Sequence, residues 1–154
     1  MDLLEIKKLL VDALDELYEK DAYLIDHDVH EQAISSKLAC YLNMRILFKT
    51  NAGWNVDAEY NRNGEAPKSL IEIGNVVPDI IIHRRGLNNP NKTEYNNLLV
   101  IEIKKNPSEK DKAEDIKKIR AFINEPPFYY CFGAFVSINK EYDIEWFVRN
   151  NEQG

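Results

Sequence analysis

Two short apolar runs constrain this chain more than any other feature: VVPDIIIH at 76–83 and LLVIEIK at 98–104. Both are rich in β-branched residues, which suit a packed, pleated surface, so both are expected to be strands. Each is interrupted by charge. Asp79 stands among aliphatic neighbours in the first run, and Glu102 and Lys104 interrupt the second. Strand side chains alternate between faces, so Glu102 and Lys104 share one face while Ile101 and Ile103 take the other. A carboxylate taken out of water without a partner is strongly destabilising, so this grouping points to a site. A cross-face ion pair would account for Glu102 and Lys104 alone, but not for Asp79 at the head of the preceding strand.

The surrounding pattern supplies the other elements. Leu3, Ile6, Leu10, Ala13 and Leu17 recur at three- and four-residue spacings and predict an amphipathic helix over 1–20. A second helix is expected from Asp28, a capping residue, to about Asn43. WNVDAEY at 54–60 alternates as a half-buried strand does, and NRNGEAPKS follows as a turn-rich connection. The polar stretch GLNNPNKTEYNN separates the two apolar strands. Ser108 and Asp111 then signal a helix start, and Pro126–Pro127 a stop. That helix is expected to turn Ala113, Ile116, Ile119 and Ile123 inward. YYCFGAFVSI at 129–138 reads as a central strand. Tyr142, Ile144, Trp146 and Val148 alternate in a last strand before a short polar tail. The expectation is one α/β domain over 1–154, a mixed β-sheet flanked by helices, with helix 1–20 as an addition to its core.

Composition narrows the function classes. There are 26 acidic and 20 basic residues, a formal charge of −6, so bulk positive charge cannot coat nucleic acid. Residues 1–31 hold ten acids against three bases, or −7, which leaves a balance of +1 for the remainder. Most of this patterning reads as solvated helix surface. No apolar window is long enough for a membrane span, and the start of the chain lacks a secretory pattern. Two cysteines, Cys40 and Cys131, make no disulfide framework, so a cytoplasmic location is expected.

Two carboxylates converging on one point supply hard oxygen ligands for Mg²⁺, with Mn²⁺ as a substitute. The backbone carbonyl of Ile103, between Glu102 and Lys104, is a further candidate ligand. Pro78-Asp79 followed by Glu102-Ile103-Lys104 resembles the PD-(D/E)XK motif of the restriction-endonuclease-like nuclease superfamily. The expected element order, helix, three-stranded meander, helix, strand, over 28–138 resembles that superfamily's core as well. The resemblance implies that Asp79 and Glu102 bind the metal and that Lys104 serves the attacking water in cleavage of DNA. It implies a further glutamate from the helix before the sheet, and Glu31 matches, sharing a helical face with Ile34, Leu38 and Leu42. Asp28 and Glu31 also have capping-box spacing, a purely local explanation. The other function class is a catalytically inactive binding or assembly module with the same fold.

Weaker signals remain. His27 and His30 beside Glu31 read as surface histidines, since the spacing does not match H-E-x-x-H. Tyr60, Arg62, Arg84, Arg85 and Lys105 are candidate substrate contacts near the expected cleft, as are Lys117 and Lys118, each equally readable as solvated charge. His83 lies on the face of Asp79, either at the cleft rim or as a strand-end residue. Cys131 reads as a small buried hydrophobe, and Trp54 and Trp146 as packing residues. A homodimer or a larger complex is an expectation by analogy alone.

Overall fold

The structure, a computed structural model, describes residues 1–49, 53–63, 66–85 and 96–149. Three helices come first: α1 (Leu3–Lys20), α2 (Ala22–Asp26) and α3 (Glu31–Lys49). Asp2 and Glu5 form a capping box that starts α1, whose apolar stripe buries Ile6, Leu9, Leu10, Ala13, Leu14 and Leu17. Helix α3 runs six residues past the expected end at Asn43. Ile46 is buried on its inner face, and Arg45 pairs with Glu16 of α1 at 2.6 Å, so its last turns are anchored.

The sheet follows: β1 (Asn55–Ala58), β6 (Ile80–His83), β7 (Asn97–Lys105), β8 (Phe132–Ile138) and β9 (Tyr142–Val148), in that spatial order. Between β1 and β6 lie four two-residue strands, β2 (Arg62–Asn63), β3 (Ala66–Pro67), β4 (Ser69–Leu70) and β5 (Gly74–Asn75). They pair as two small hairpins, β2 with β3 and β4 with β5, within and beyond the stretch read as a turn-rich connection. Strand β6 runs antiparallel to both β1 and β7, β7 and β8 are parallel, and β9 returns antiparallel to β8. The parallel pair needs a crossover, which α4 (Glu109–Asn124) supplies. Its start is the expected one: Ser108 and Asp111 form a reciprocal capping box. The polar loop between the apolar strands and the C-terminal tail fall mostly at 86–95 and 150–154, outside the described residues.

Each sheet face carries its own core. Helices α1 and α3 pack with Ile80, Ile82, Leu99, Ile101 and Ile103 on one face. On the other, α4 packs with Ile81, Val100, Phe135 and Phe147. Two expected faces are corrected. Ala113 is exposed, and α4 turns Asp115, Ile119, Phe122 and Ile123 inward. Val148 is half exposed while Phe147 is buried, because the end of β9 contributes to the α4 side. Gly133 of β8 lets α4 sit close: a Cβ there would meet Ile119 Cγ2 at 2.3 Å. No helix among the described residues is long and apolar enough to cross a membrane.

Candidate active site

Strand β7 carries Glu102 into the α4 face, where it is 2% exposed. One oxygen, Oε2, accepts a hydrogen bond from Lys118 Nζ at 3.1 Å. The other, Oε1, has no partner among the described residues. Lys118 is also held by Asp115, one turn earlier on α4, at 2.7 Å. Asp79 comes from the neighbouring strand. Pro78 has no N–H to offer a ladder, so regular pairing of β6 starts only at Ile80. This leaves the Asp79 side chain to accept the Ile103 amide N–H at 2.7 Å.

Two buried carboxylates, Glu102 and Asp115, thus share one ammonium, and the half-buried Asp79 adds negative charge near Glu102. The electrostatics follow from that imbalance. Burial, and then repulsion from Asp79, pushes Glu102 well above the ordinary carboxylate range despite Lys118. Burial also raises Asp79, against the pull of the Ile103 N–H. Burial alone would lower Lys118, but Glu102 and Asp115 outweigh it and hold the ammonium protonated.

Glu31 approaches the same strand end from α3. Its Oε2 accepts the Lys105 backbone N–H at 2.7 Å, and its Oε1 lies 3.4 Å from Lys104 Nζ. Its carboxylate is therefore engaged by β7. Burial would depress Lys104, yet Glu31 foremost raises it above the usual lysine value. The raised value keeps Lys104 protonated at neutral pH. Of the four residues singled out from sequence, Glu31 contacts Lys104 and the Lys105 N–H, and Asp79 contacts the Ile103 N–H between Glu102 and Lys104, so all four lie along the C-terminal half of β7.

The donor set is short of a complete cage. No three His, Cys, Asp or Glu side chains among the described residues converge closely enough to hold a metal ion by themselves. What fits a hard cation is the excess of carboxylate over ammonium together with the orphaned Glu102 Oε1. No protein-family model, curated protein or solved structure matches this chain. The site must be read from its own chemistry.

Apart from Lys105, whose backbone N–H bonds Glu31, the remaining candidates do not join this cluster. Arg85 makes a two-pronged pair with Asp57, at 2.7 and 3.2 Å. His83 also bonds Asp57, at 2.7 Å, so its partner is a side chain. Burial lowers His83 below its usual value, outweighing Asp57. Arg84 stacks on Trp54 at 4.3 Å, and Tyr60 packs against His83 at 4.7 Å. Arg62 is exposed on β2 and Lys117 pairs with Glu72. Lys105 Nζ is tied to the carbonyls of Leu24 and His27 and lines a polar cavity of about 600 Å³ with Asp26, His30 and Glu31. His83 follows Asp79 by four residues of extended chain, about 13 Å, while Asp57, opposite Ile81 across the β1–β6 pairing, gives its carboxylate to His83 and Arg85.

Three residues lay outside the site as read from sequence. Asp115 is not among the sequence candidates, and Lys118 is one only as a substrate contact or solvated charge, not as a partner of Glu102. Their signal was available: Asp115, Lys118, Ile119 and Phe122 share one helical face, so the first two interrupt an apolar stripe as Glu102 interrupts a strand. Lys68, 3% exposed, sits in the turn-rich connection and left no periodic mark.

Proposed function

We propose that this chain is a metal-dependent nuclease that hydrolyses phosphodiester bonds in DNA. The observation that carries the reading is the grouping at the end of β7: Glu102 with an unpartnered oxygen, Asp79 beside it, and the protonated Lys104 two residues on. The order α3, antiparallel β1, β6 and β7, then α4 and parallel β8 supports the likeness to a restriction-endonuclease-like core.

Asp79, Glu102 and the Ile103 carbonyl are the residues that would hold Mg²⁺ or Mn²⁺. A divalent ion there supplies a water of lowered pKa and offsets charge developing on the phosphate. Lys104, kept charged by Glu31, donates hydrogen bonds to the attacking water or to a phosphate oxygen and so orients the nucleophile. Glu31 steadies both Lys104 and the strand end. Since Lys104 does not take up a proton, cleavage should persist across neutral pH without a step set by lysine titration.

Purified protein with Mg²⁺ or Mn²⁺ should cut at least one of a panel of linear, nicked, branched and single-stranded DNAs. Glu102→Ala should abolish that cutting. Equal behaviour of wild type and Glu102→Ala on every substrate would refute the reading. Lys104→Ala should remove turnover while calorimetry still reports metal binding.

A non-catalytic assembly module is the second reading. It is favoured by Phe48, 88% exposed, with Leu47 and Leu4 also exposed at the end where Lys49 of α3 pairs with Glu5 of α1. It requires stable association with a partner and no cleavage with any divalent ion.

A further inference from the structure

Lys118 stands where the proposed reaction needs a cation, and it reaches that place from a helix. Its ammonium lies 3.1 Å from Glu102 Oε2 and 2.7 Å from Asp115 Oδ1. A lysine whose task ended with neutralising Glu102 would need only that carboxylate. Asp115 adds a second and closer partner, buried and three residues back on the same helix. The ammonium therefore has two resting places: bridging Asp115 and Glu102, or on Asp115 alone. Leaving Glu102 does not strand an unpaired buried charge, since the Asp115 pair persists and a quarter of the Lys118 side chain is open to water. Departure would leave both Glu102 oxygens without a protein partner at once, because Oε1 already lacks one. Lys104 has no such freedom toward Glu102, because its ammonium is placed against Glu31.

We infer that Lys118 is a resident counter-ion of Glu102 that competes with the divalent cation and yields to it by withdrawing to Asp115. The inference rests on the nuclease reading and adds a control to it: the two carboxylate regions of the site are bridged by an internal cation until an external one displaces it. Asp115 acts here as a positioning residue, since it touches neither substrate nor metal and works through Lys118.

The test is Mn²⁺ titration of the full chain by calorimetry, paired with thermal unfolding with and without Mn²⁺. Lys118→Met keeps the length of the stem and removes the charge. It should lower the melting temperature of the metal-free protein, bind Mn²⁺ roughly tenfold more tightly than wild type, and recover much of the lost melting temperature at saturation. Asp115→Asn should bind Mn²⁺ more weakly than wild type, because its ammonium has only Glu102 left. The double variant should follow Lys118→Met. Should Lys118→Met not fold, Lys118→Gln serves in its place, and the wild-type lysine ammonium resonance of Lys118 should shift on Mg²⁺ saturation. Affinity in Lys118→Met equal to or below wild type, or an unmoved ammonium resonance, overturns the inference while a metal-binding, DNA-cutting wild type leaves the nuclease reading standing. A wild type and variant that both bind no divalent ion would sink the two together.

Discussion

Glu102 and Lys68 are both buried on the α4 face of the sheet, yet their surroundings treat charge in opposite ways. Glu102 has an ammonium at 3.1 Å and still carries an oxygen without a partner among the described residues, while Asp115 shares that ammonium and Asp79 adds negative charge nearby. Among the described residues, no carboxylate offsets the burial of Lys68. Its Nζ lies 3.3 Å from the Tyr130 hydroxyl and over the rings of Phe128, Tyr60 and Tyr130 at 4.9 to 5.6 Å. Burial alone brings its pKa down to about 8. A lysine can meet such burial by shedding its proton, and ring faces accept either form. The backbone of Lys68 bonds Asn61 and Val76, so the side chain pins the connection between β1 and β6 onto the core. The carboxylate group carries more negative charge than its ammonium offsets, whereas the lysine is enclosed by rings. On the proposed reading, the first region serves chemistry and the second attachment.

The sharpest way to break this contrast is to neutralise each centre. Glu102→Gln should reduce Mg²⁺-dependent cleavage by roughly 10³-fold, while Lys68→Met changes it by less than about twofold. Equal losses, measured on one DNA substrate, would erase the distinction.

The next effect is on stability, and its pH dependence has opposite sign at the two centres. Lys68 has a lowered folded pKa, so between about 8 and the unfolded value near 10.5 the unfolded chain holds the extra proton. Stability attributable to Lys68 therefore rises with pH across that window, and wild type should gain ~3 kcal/mol on Lys68→Met as denaturant unfolding is repeated from pH 8 to 10.5. Glu102 has a raised folded pKa. The stability its protonated form contributes is complete below about 4.5 and is lost as pH rises through the folded value. Metal-free Glu102→Gln, which keeps that neutral form, should thus melt above wild type at neutral pH, with a gap that closes on acidification.

A smaller test touches only one region. Ser108→Ala removes the cap of α4 and should cost about 1 kcal/mol in chemical unfolding. It loosens the helix that presents Asp115 and Lys118, and should leave the pH response of Lys68 unchanged.

The strands that build the site were legible because their apolar runs were long and the charges in them few. Asp79, Glu102 and Lys104 stood out for that reason, and Glu31 came from the resemblance, its helical phase with Ile34 and Leu38 agreeing. The capping box at Ser108 set the start of α4 correctly, yet the choice of its inner face erred at Ala113. That choice assumed charges point to water. Asp115 and Lys118 face the sheet because they pair there with each other and with Glu102, and only the helical phase they share with Ile119 and Phe122 marks them in the sequence. Lys68 was hidden differently: its cage is made by Tyr60, Phe128 and Tyr130, which the chain brings together over a separation of 62 residues between Lys68 and Tyr130. In the same way Phe147 is buried by α4, which the alternation of β9 alone does not reveal.

Gly133 gives the charge balance a steric origin. The missing side chain sets the clearance between α4 and the sheet, and Ile119, whose Cγ2 would lie 2.3 Å from a Cβ at Gly133, is the immediate neighbour of Lys118. Adding one methyl at Gly133 would have to lift or turn the helix, and with it the ammonium that Glu102 shares with Asp115. A substitution that alters no charge would then change which charges meet, so that the ion chemistry of one strand is tuned by the thickness of the next.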